Sequence, residues 1–292
     1  MSELVLKKLT RKEFSANIVK ILNVLNDAFH DEYLFKEELL YWKYLMGENE
    51  LLCYAAFKDD EIVGIRFNFV FDVEENGRTI SIVQPSDSAV IRSEQGKGIF
   101  GKLTRFFIDD IKTLHRPFVV LNFPNEKSKP TYVKLGWDIS ERHWYMSHTF
   151  ALQTPLSSIQ KLNEIHLKEL PSLFCWRFFQ HPCNDYFFYE NNKAKFIFKV
   201  EKYYGFKLCR VMYYESSDEI HMSESIHDFR SALFRNKIFC LTYLDNDARF
   251  LDSISARTLS FKRKNKVNFC NAPSLSTTTL DSSIQLYFMD FL

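Results

Sequence analysis

The sequence predicts a mixed α/β protein, and three features predict it. Apolar residues recur at helical spacing over 14–30 and 35–46. Strand-like apolar runs follow between residues 51 and 91. A glycine-rich turn then leads into a further helix, strand and helix that close at Gly136.

Each element has its own signal. Ile18, Ile21, Leu22, Leu25 and Phe29 form one stripe, and Leu39, Leu40, Trp42, Tyr44 and Leu45 mark a second helix. Leu51–Phe57 and Ile62–Val70 flank the charged turn Lys58-Asp59-Asp60-Glu61, which predicts a hairpin. Asn76-Gly77 is the strongest short hairpin signal and leads into a strand over Thr79–Val83. Residues 86–91 read as another strand. A helix after Gly101 carries Leu103, Phe106, Phe107, Ile111 and Leu114 on its apolar side and is stopped by Pro117. Phe118–Leu121 is a short buried strand, and Asn125–Leu135 a short helix closed by Gly136.

A chain of 292 residues fits two ordinary domains, here 1–150 and 151–292, with Gln153-Thr154-Pro155 as the boundary. The second half echoes the first. Tyr41-Trp42-Lys43-Tyr44 is matched in texture by Cys175-Trp176-Arg177-Phe178, and the strand Leu51–Phe57 by Phe196–Val200. The halves are unequal in one respect: only Gly205 of the eight glycines lies beyond position 136. The second half therefore has no glycine-rich phosphate cradle.

Composition narrows the function classes. With 46% hydrophobic and 26% charged residues the chain packs a core. A net charge of +1 points to neither a nucleic-acid nor a membrane-surface binder, and the basic run Lys262–Lys266 reads as a solvated turn. The six cysteines show no CxxC spacing and no zinc-ligand pattern with the histidines, so free thiols and no metal are expected. His143 and His148 read as surface or core residues, Trp176 as core. The polar start and the lack of any membrane-length apolar run predict a cytoplasmic, soluble protein. The oligomeric state is not set by the sequence.

The chemistry concentrates at Gln95-Gly96-Lys97-Gly98-Ile99-Phe100-Gly101, between a strand and a helix. Main-chain N–H groups in such a turn converge beside the positive end of the helix dipole, and Lys97 and Arg92 add charge. On spacing alone the turn is either a phosphate cradle or a tight connection without a ligand. It lacks the Gly-Lys-Ser/Thr of nucleotide-triphosphate loops and the βαβ context of the dinucleotide fingerprint.

Residues 95–100 resemble the Q/R-x-x-G-x-G/A motif of the Gcn5-related N-acetyltransferase (GNAT) superfamily. Asn125–Trp137 resembles the family's N-x-x-S/A-x-x-x-Y-x-x-x-G-F segment, in the family's order and distance. Likeness is good over 50–145 and looser over the N-terminal helices. The resemblance implies a GNAT-like N-terminal domain of the bacterial multi-domain type, followed by a degenerate GNAT-like α/β domain. It implies acetyl-CoA or another acyl-CoA as co-substrate and a small-molecule amine as acceptor, with an amino sugar of cell-surface polysaccharide as the guess by analogy. Val90 and Ile91 would offer main-chain groups to the pantetheine arm. Gln95, Gly96, Lys97, Gly98, Phe100 and Gly101 would hold the pyrophosphate, and Asn125 and Ser128 match CoA-contacting positions. Tyr132 matches the tyrosine that protonates the leaving thiolate, and Asp87, on the strand beside the thioester, is the candidate base.

Two departures carry expectations. Phe100 stands where the family has Gly or Ala; either it points away from the CoA or the pyrophosphate fit is altered, with Gly101, one residue later, to compensate. Pro130 must fall in the first turn of its helix, with Ser128 as N-cap. Two other readings keep the fold: a catalytically degenerate acyl-CoA-binding or scaffold protein, and a tandem-domain transferase that uses aminoacyl-tRNA.

Overall fold

The computed structural model describes residues 3–29, 34–46, 50–75, 77–114, 116–151, 153–164, 175–216, 219–244, 254, 260–272 and 276. The chain clusters into two units. One holds residues up to Ser140 and the segment from Phe269; the other holds Glu141–Asn268. The boundary expected at 150 lies earlier. Trp144–His148 already ladder with Leu244–Cys240, which makes them part of the second unit's sheet.

In the first unit, β1 (Val5–Leu9) leads into α1 (Arg11–Ala16), α2 (Ile18–Phe29) and α3 (Glu37–Tyr44). The stripe Ile18–Phe29 forms α2 alone, and the residues before Asn17 form the separate helix α1. Thr10 and Glu13 close a reciprocal capping box at the start of α1. Strands β2 (Leu52–Lys58) and β3 (Glu61–Glu75) form the expected hairpin, turning on Asp59 and Asp60 at positive φ. β3 pairs with β4 (Arg78–Val90) from Glu75↔Arg78 to Gly64↔Val90, and Gly77 stands at φ 72°.

β4 is one strand where the sequence reads as two. It pairs in parallel with β5 (Phe118–Asn122) only from Ser81↔Phe118 to Val83↔Val120. Ser81 N–H donates to Pro117 O at 3.0 Å, so N–H groups at alternate positions aim toward β5. Pro85 falls on that side, just past the end of the ladder, where its missing N–H leaves nothing unsatisfied. Pro85 therefore ends the pairing with β5 without ending the strand, and the two strands part there.

A register shift follows, between Ile65 and Phe67 of β3, where β4 inserts an extra residue at Asp87-Ser88. Helix α4 (Ile99–Ile111) crosses one face of this sheet. A Cβ on Gly64 would stand 3.1 Å from Ile99 Cγ2, so glycine permits the close approach. Leu103, Phe107, Val83, Val120 and Tyr132 build the core on this side. The other face packs against the N-terminal helices. Tyr44 stacks on Phe67 at 4.1 Å, and Phe14 meets Phe67 edge-on at 5.8 Å. After β5 comes α5 (Lys129–Lys134).

The second unit takes most of β6 (Asp138–His148), followed by β7 (Gln160–Lys161), β8 (Tyr186–Glu190), β9 (Ala194–Tyr203) and β10 (Phe206–Ser216). Helix α6 (Glu219–Arg235) leads to β11 (Cys240–Leu244), which runs parallel to β10. Phe229, Ala232 and Leu233 of α6 pack on Phe196, Phe198 and Cys209. The unit is again mixed α/β.

Trp176 is buried, as expected. The basic run 262–266 is not a turn; it lies within β12 (Ser260–Asn271). There Lys262 and Lys264 are exposed, while the Arg263 guanidinium lies 4.9 Å from the Tyr203 ring. Past the second unit, Cys270 and Asn271 pair with Asn122 and Leu121 of β5. Cys53, Cys183, Cys209, Cys240 and Cys270 are free thiols. Among the described residues no helix is long and apolar enough to cross a membrane.

Candidate functional site

The turn at 95–98 leads straight into α4. Gly96 and Gly98 adopt φ of 76° and 78°, and Gly98 is the N-cap residue of the helix. That conformation strains any L side chain. The first N–H groups of α4 have no partner inside the helix and open beside these glycines. No other atom lies within 4 Å of where a Cβ would stand on Gly96, Gly98 or Gly101. The backbone is bare there, as an anionic ligand at a helix N-terminus requires.

A cleft of about 580 Å³ opens over this turn. Val90, Gln95, Gly96, Gly98, Phe100 and Gly101, all named from the sequence, line it. Arg105 of α4 and Lys127, Thr131 and Lys134 at α5 complete the wall. Glu94 also faces it, bonded to Lys58 and, at 2.9 Å, to Lys97. The Lys58 and Lys97 hydrogen bonds hold the Glu94 carboxyl below its ordinary range.

Four expected cofactor positions are absent from the lining. Lys97 reaches Glu94 instead. Ile91 donates its N–H to Val63 O (3.0 Å) and accepts from Glu94 N–H (2.9 Å), so both its main-chain groups are engaged. By strand alternation the Val90 N–H then faces away from β3, toward the gap between β4 and β5. Asn125 Oδ1 accepts the Ser128 N–H at 2.9 Å, and Asn125 O accepts the Lys129 N–H at 2.9 Å. The side-chain cap is thus provided by Asn125; Ser128 occupies the N-cap place without a side-chain bond. Pro130 stands in the first turn of α5, as its missing N–H demands.

Tyr132 is 3% exposed and sits in the core, its ring 4.7 Å from Trp137 and 6.1 Å, edge to face, from Phe100. Its hydroxyl accepts a hydrogen bond from Arg66 Nη1 at 3.2 Å, and the same nitrogen donates to Thr104 Oγ1 at 3.2 Å. Arg66 is fully buried, with its guanidinium 4.6 Å from the Phe107 ring. Phe100 packs its ring against this core while still edging the cleft.

Asp87 lies at the β4 bulge. Its Oδ2 accepts from Lys43 Nζ at 2.9 Å and from Tyr44 OH at 2.6 Å. The Lys43 side chain has no exposure and that of Asp87 has 8%, so this is a buried ion pair. Burial first, then the Asp87 charge, push the Tyr44 hydroxyl well above its usual range. Tyr44 stacks on Phe67 and Phe69, on the face opposite to Tyr132. Asp87 and Tyr132 therefore approach the parted strands from opposite faces of the sheet.

Residues 8–140 match the sequence model of the acetyltransferase (GNAT) domain. These residues are a GNAT domain. Solved structures share the fold across both units. A GCN5-related N-acetyltransferase from Anabaena variabilis has a TM-score of 0.66 at 13% identity, over 92% of this chain and 72% of its own. Another from Kribbella flavida gives 0.64 at 12%, over 92% and 71%. A GCN5-related glucosamine N-acetyltransferase region of a fungal multi-domain β-N-acetylglucosaminidase gives 0.56 at 11%, over 93% of this chain and 38% of that one. No curated protein sequence matches.

Within the GNAT domain the sequence reading missed Arg105, Lys127, Thr131, Lys134 and Arg66. The first four had a signal. Gly101 and Arg105 are four apart, and 127, 131 and 134 follow helical spacing, so each set shares a helix face. Arg66 is the single charge in the apolar strand Ile62–Val70. A lone charge at a buried strand position is the mark of a special environment.

Proposed function

We propose that this protein is an acyl-CoA-dependent N-acyltransferase. The observation that carries the reading is the cleft over Gly96 and Gly98, with bare backbone at the start of α4 and a rim of Arg105, Lys127 and Lys134. These features suit an elongated polyanion such as CoA. Acyl-CoA supplies an activated thioester when bound.

Gly96, Gly98 and the first N–H groups of α4 hold the pyrophosphate, and the basic rim screens the remaining phosphate charge. The Val90 N–H, turned to the gap beyond Pro85, bonds the pantetheine arm. Holding donor and acceptor together supplies much of the rate. The amine nitrogen bonds to the acyl carbon as the carbon–sulfur bond breaks. Asp87 receives the amine proton, and Tyr132 gives its hydroxyl proton to the departing thiolate. An amino sugar is the acceptor to screen first, in keeping with the likeness to the glucosamine N-acetyltransferase region. The second unit is read as a degenerate GNAT-like domain.

Tyr132→Phe is the test. Turnover with acetyl-CoA and an amine acceptor falls by roughly a hundredfold, while CoA affinity measured on the same sample holds. Equal turnover removes Tyr132 from the chemistry.

A second reading has its own observation. Asp87 is tied to Lys43 and Tyr44, and the Tyr132 hydroxyl is tied to Arg66. A protein that binds acyl-CoA and transfers nothing would carry the same contacts. Binding without turnover across a panel of amines would favour it.

A further inference from the structure

Arg66 is a fully buried cation without a carboxylate partner. An unpaired buried charge costs several kcal/mol, by rough general estimates, unless something compensates it. The Phe107 ring, 4.6 Å away, addresses the flat face of the guanidinium. It leaves the in-plane donors untouched. Nη1 is occupied by Thr104 and Tyr132. Nε and Nη2 have no hydrogen-bond partner among the described residues.

Those two nitrogens share one edge of the guanidinium. Together they form the fork that takes both oxygens of a carboxylate, a match that a single carbonyl oxygen cannot make. The same face of the sheet carries two more such groups. Asn68 Oδ1 and Asn122 Nδ2 are likewise buried without a partner among the described residues. Asn68 and Arg66 alternate with Val70 of the core on β3, and Asn122 alternates with Val120 on β5. All three therefore belong to the α4 face.

We propose that Arg66 binds the terminal carboxylate of a short dicarboxylic acyl group, such as malonyl or succinyl, carried on CoA. The proposal rests on the acyl-CoA reading above. Two contacts assign the carboxylate to the donor. Tyr132, which protonates the leaving sulfur in that reading, bonds the same guanidinium at 3.2 Å. Phe100, which edges the cleft, has the Arg66 Cζ 6.0 Å from its ring centre. The Phe100 ring thus borders both the donor cleft and the guanidinium, and in this proposal a turn of that side chain admits the acid. The bulky residue at position 100 then has a use: it covers the fork when no acid is present.

Calorimetric titration of the whole protein with acetyl-, butyryl-, malonyl- and succinyl-CoA tests this. A charge-assisted fork is worth on the order of 1.5–3 kcal/mol, which is a preference of about tenfold or more. Succinyl- or malonyl-CoA is expected to bind at least about tenfold more tightly than butyryl-CoA. Arg66→Lys, which keeps the charge and loses the fork, is expected to bring that ratio toward unity. If Arg66→Lys does not fold, wild type with isotope-labelled arginine decides by NMR. The buried Nε–H signal then moves with succinyl-CoA and stays with butyryl-CoA. Equal binding of all four donors by wild type overturns this proposal and leaves the acyl-CoA reading standing. A preference that survives in Arg66→Lys, or an Nε–H signal that ignores the acid, overturns the assignment to Arg66. Binding of none of the four overturns both.

Discussion

Asp87 and Lys43 show how a single pair can serve stability and chemistry at once. Both side chains are buried, and Tyr44 adds a second bond to the carboxylate. Removing either side breaks a buried ion pair, so Asp87→Asn or Lys43→Met alone is expected to cost about 3–5 kcal/mol. The double variant removes both charges and is expected to recover most of that loss. Denaturant unfolding of the four proteins measures the cycle. Activity separates the two roles. If Asp87 accepts the amine proton, the double variant refolds well and stays inactive. A stable double variant with full turnover would make the pair structural only. The sequence showed Asp87 as a carboxylate on the right strand. It could not show Lys43, because contact across forty-four residues depends on how α3 lies over the β4 bulge.

At the scale of elements, α5 presents Tyr132 and two cleft residues, Thr131 and Lys134, yet it is only six residues long. A helix so short depends on its cap. Asn125→Ala removes the Oδ1 bond to the Ser128 N–H and is expected to cost about 1 kcal/mol. Thermal unfolding reads that loss, and a Tm equal to wild type would contradict the capping role. The segment 125–137 was legible as a helix because Gly136 and the apolar pattern bound it. Ser128 is the N-cap residue as expected, but the side-chain bond that closes the turn comes from Asn125, since Ser and Asn are both good caps and only geometry chooses between them. Strand β4 failed for a related reason. Pro85 looks like a break, and it breaks one ladder only, the one toward β5. Phe100, expected from its size to turn from a phosphate cradle, meets Tyr132 edge to face and also lines the cleft.

At the scale of the molecule, the two-unit plan assigns Cys53 and Cys270 to one unit and Cys209 to the other. All three thiols are fully buried. Burial pushes Cys53 and Cys209 well above the usual thiol range, and pushes Cys270 up to about 12. Cys183 is exposed. Thiol labelling at neutral pH, read by mass spectrometry in rising denaturant, is expected to modify Cys183 first. Cys53 and Cys270 then open together despite their separation in sequence. Labelling of Cys270 in step with Cys209 and apart from Cys53 would contradict the return of 269–271 to the first unit. That return was invisible in the sequence, because no local signal tells a strand which distant neighbour it will pair with. The mixed α/β plan and the glycine turn were visible, because helical spacing, hairpin turns and a strand-to-helix glycine cluster are local patterns.

The central claim is that the turn at 96–101 and the start of α4 hold acyl-CoA. Calorimetric titration with acetyl-CoA, beside CoA and ATP, on wild type and on Gly98→Glu tests it most directly. The substitution sets a carboxylate where the pyrophosphate would lie and strains a residue at φ 78°. The account predicts selective binding of acetyl-CoA and CoA by wild type, lost in the variant while its fold persists by circular dichroism. Equal affinity in both proteins, or no binding by wild type, would contradict it.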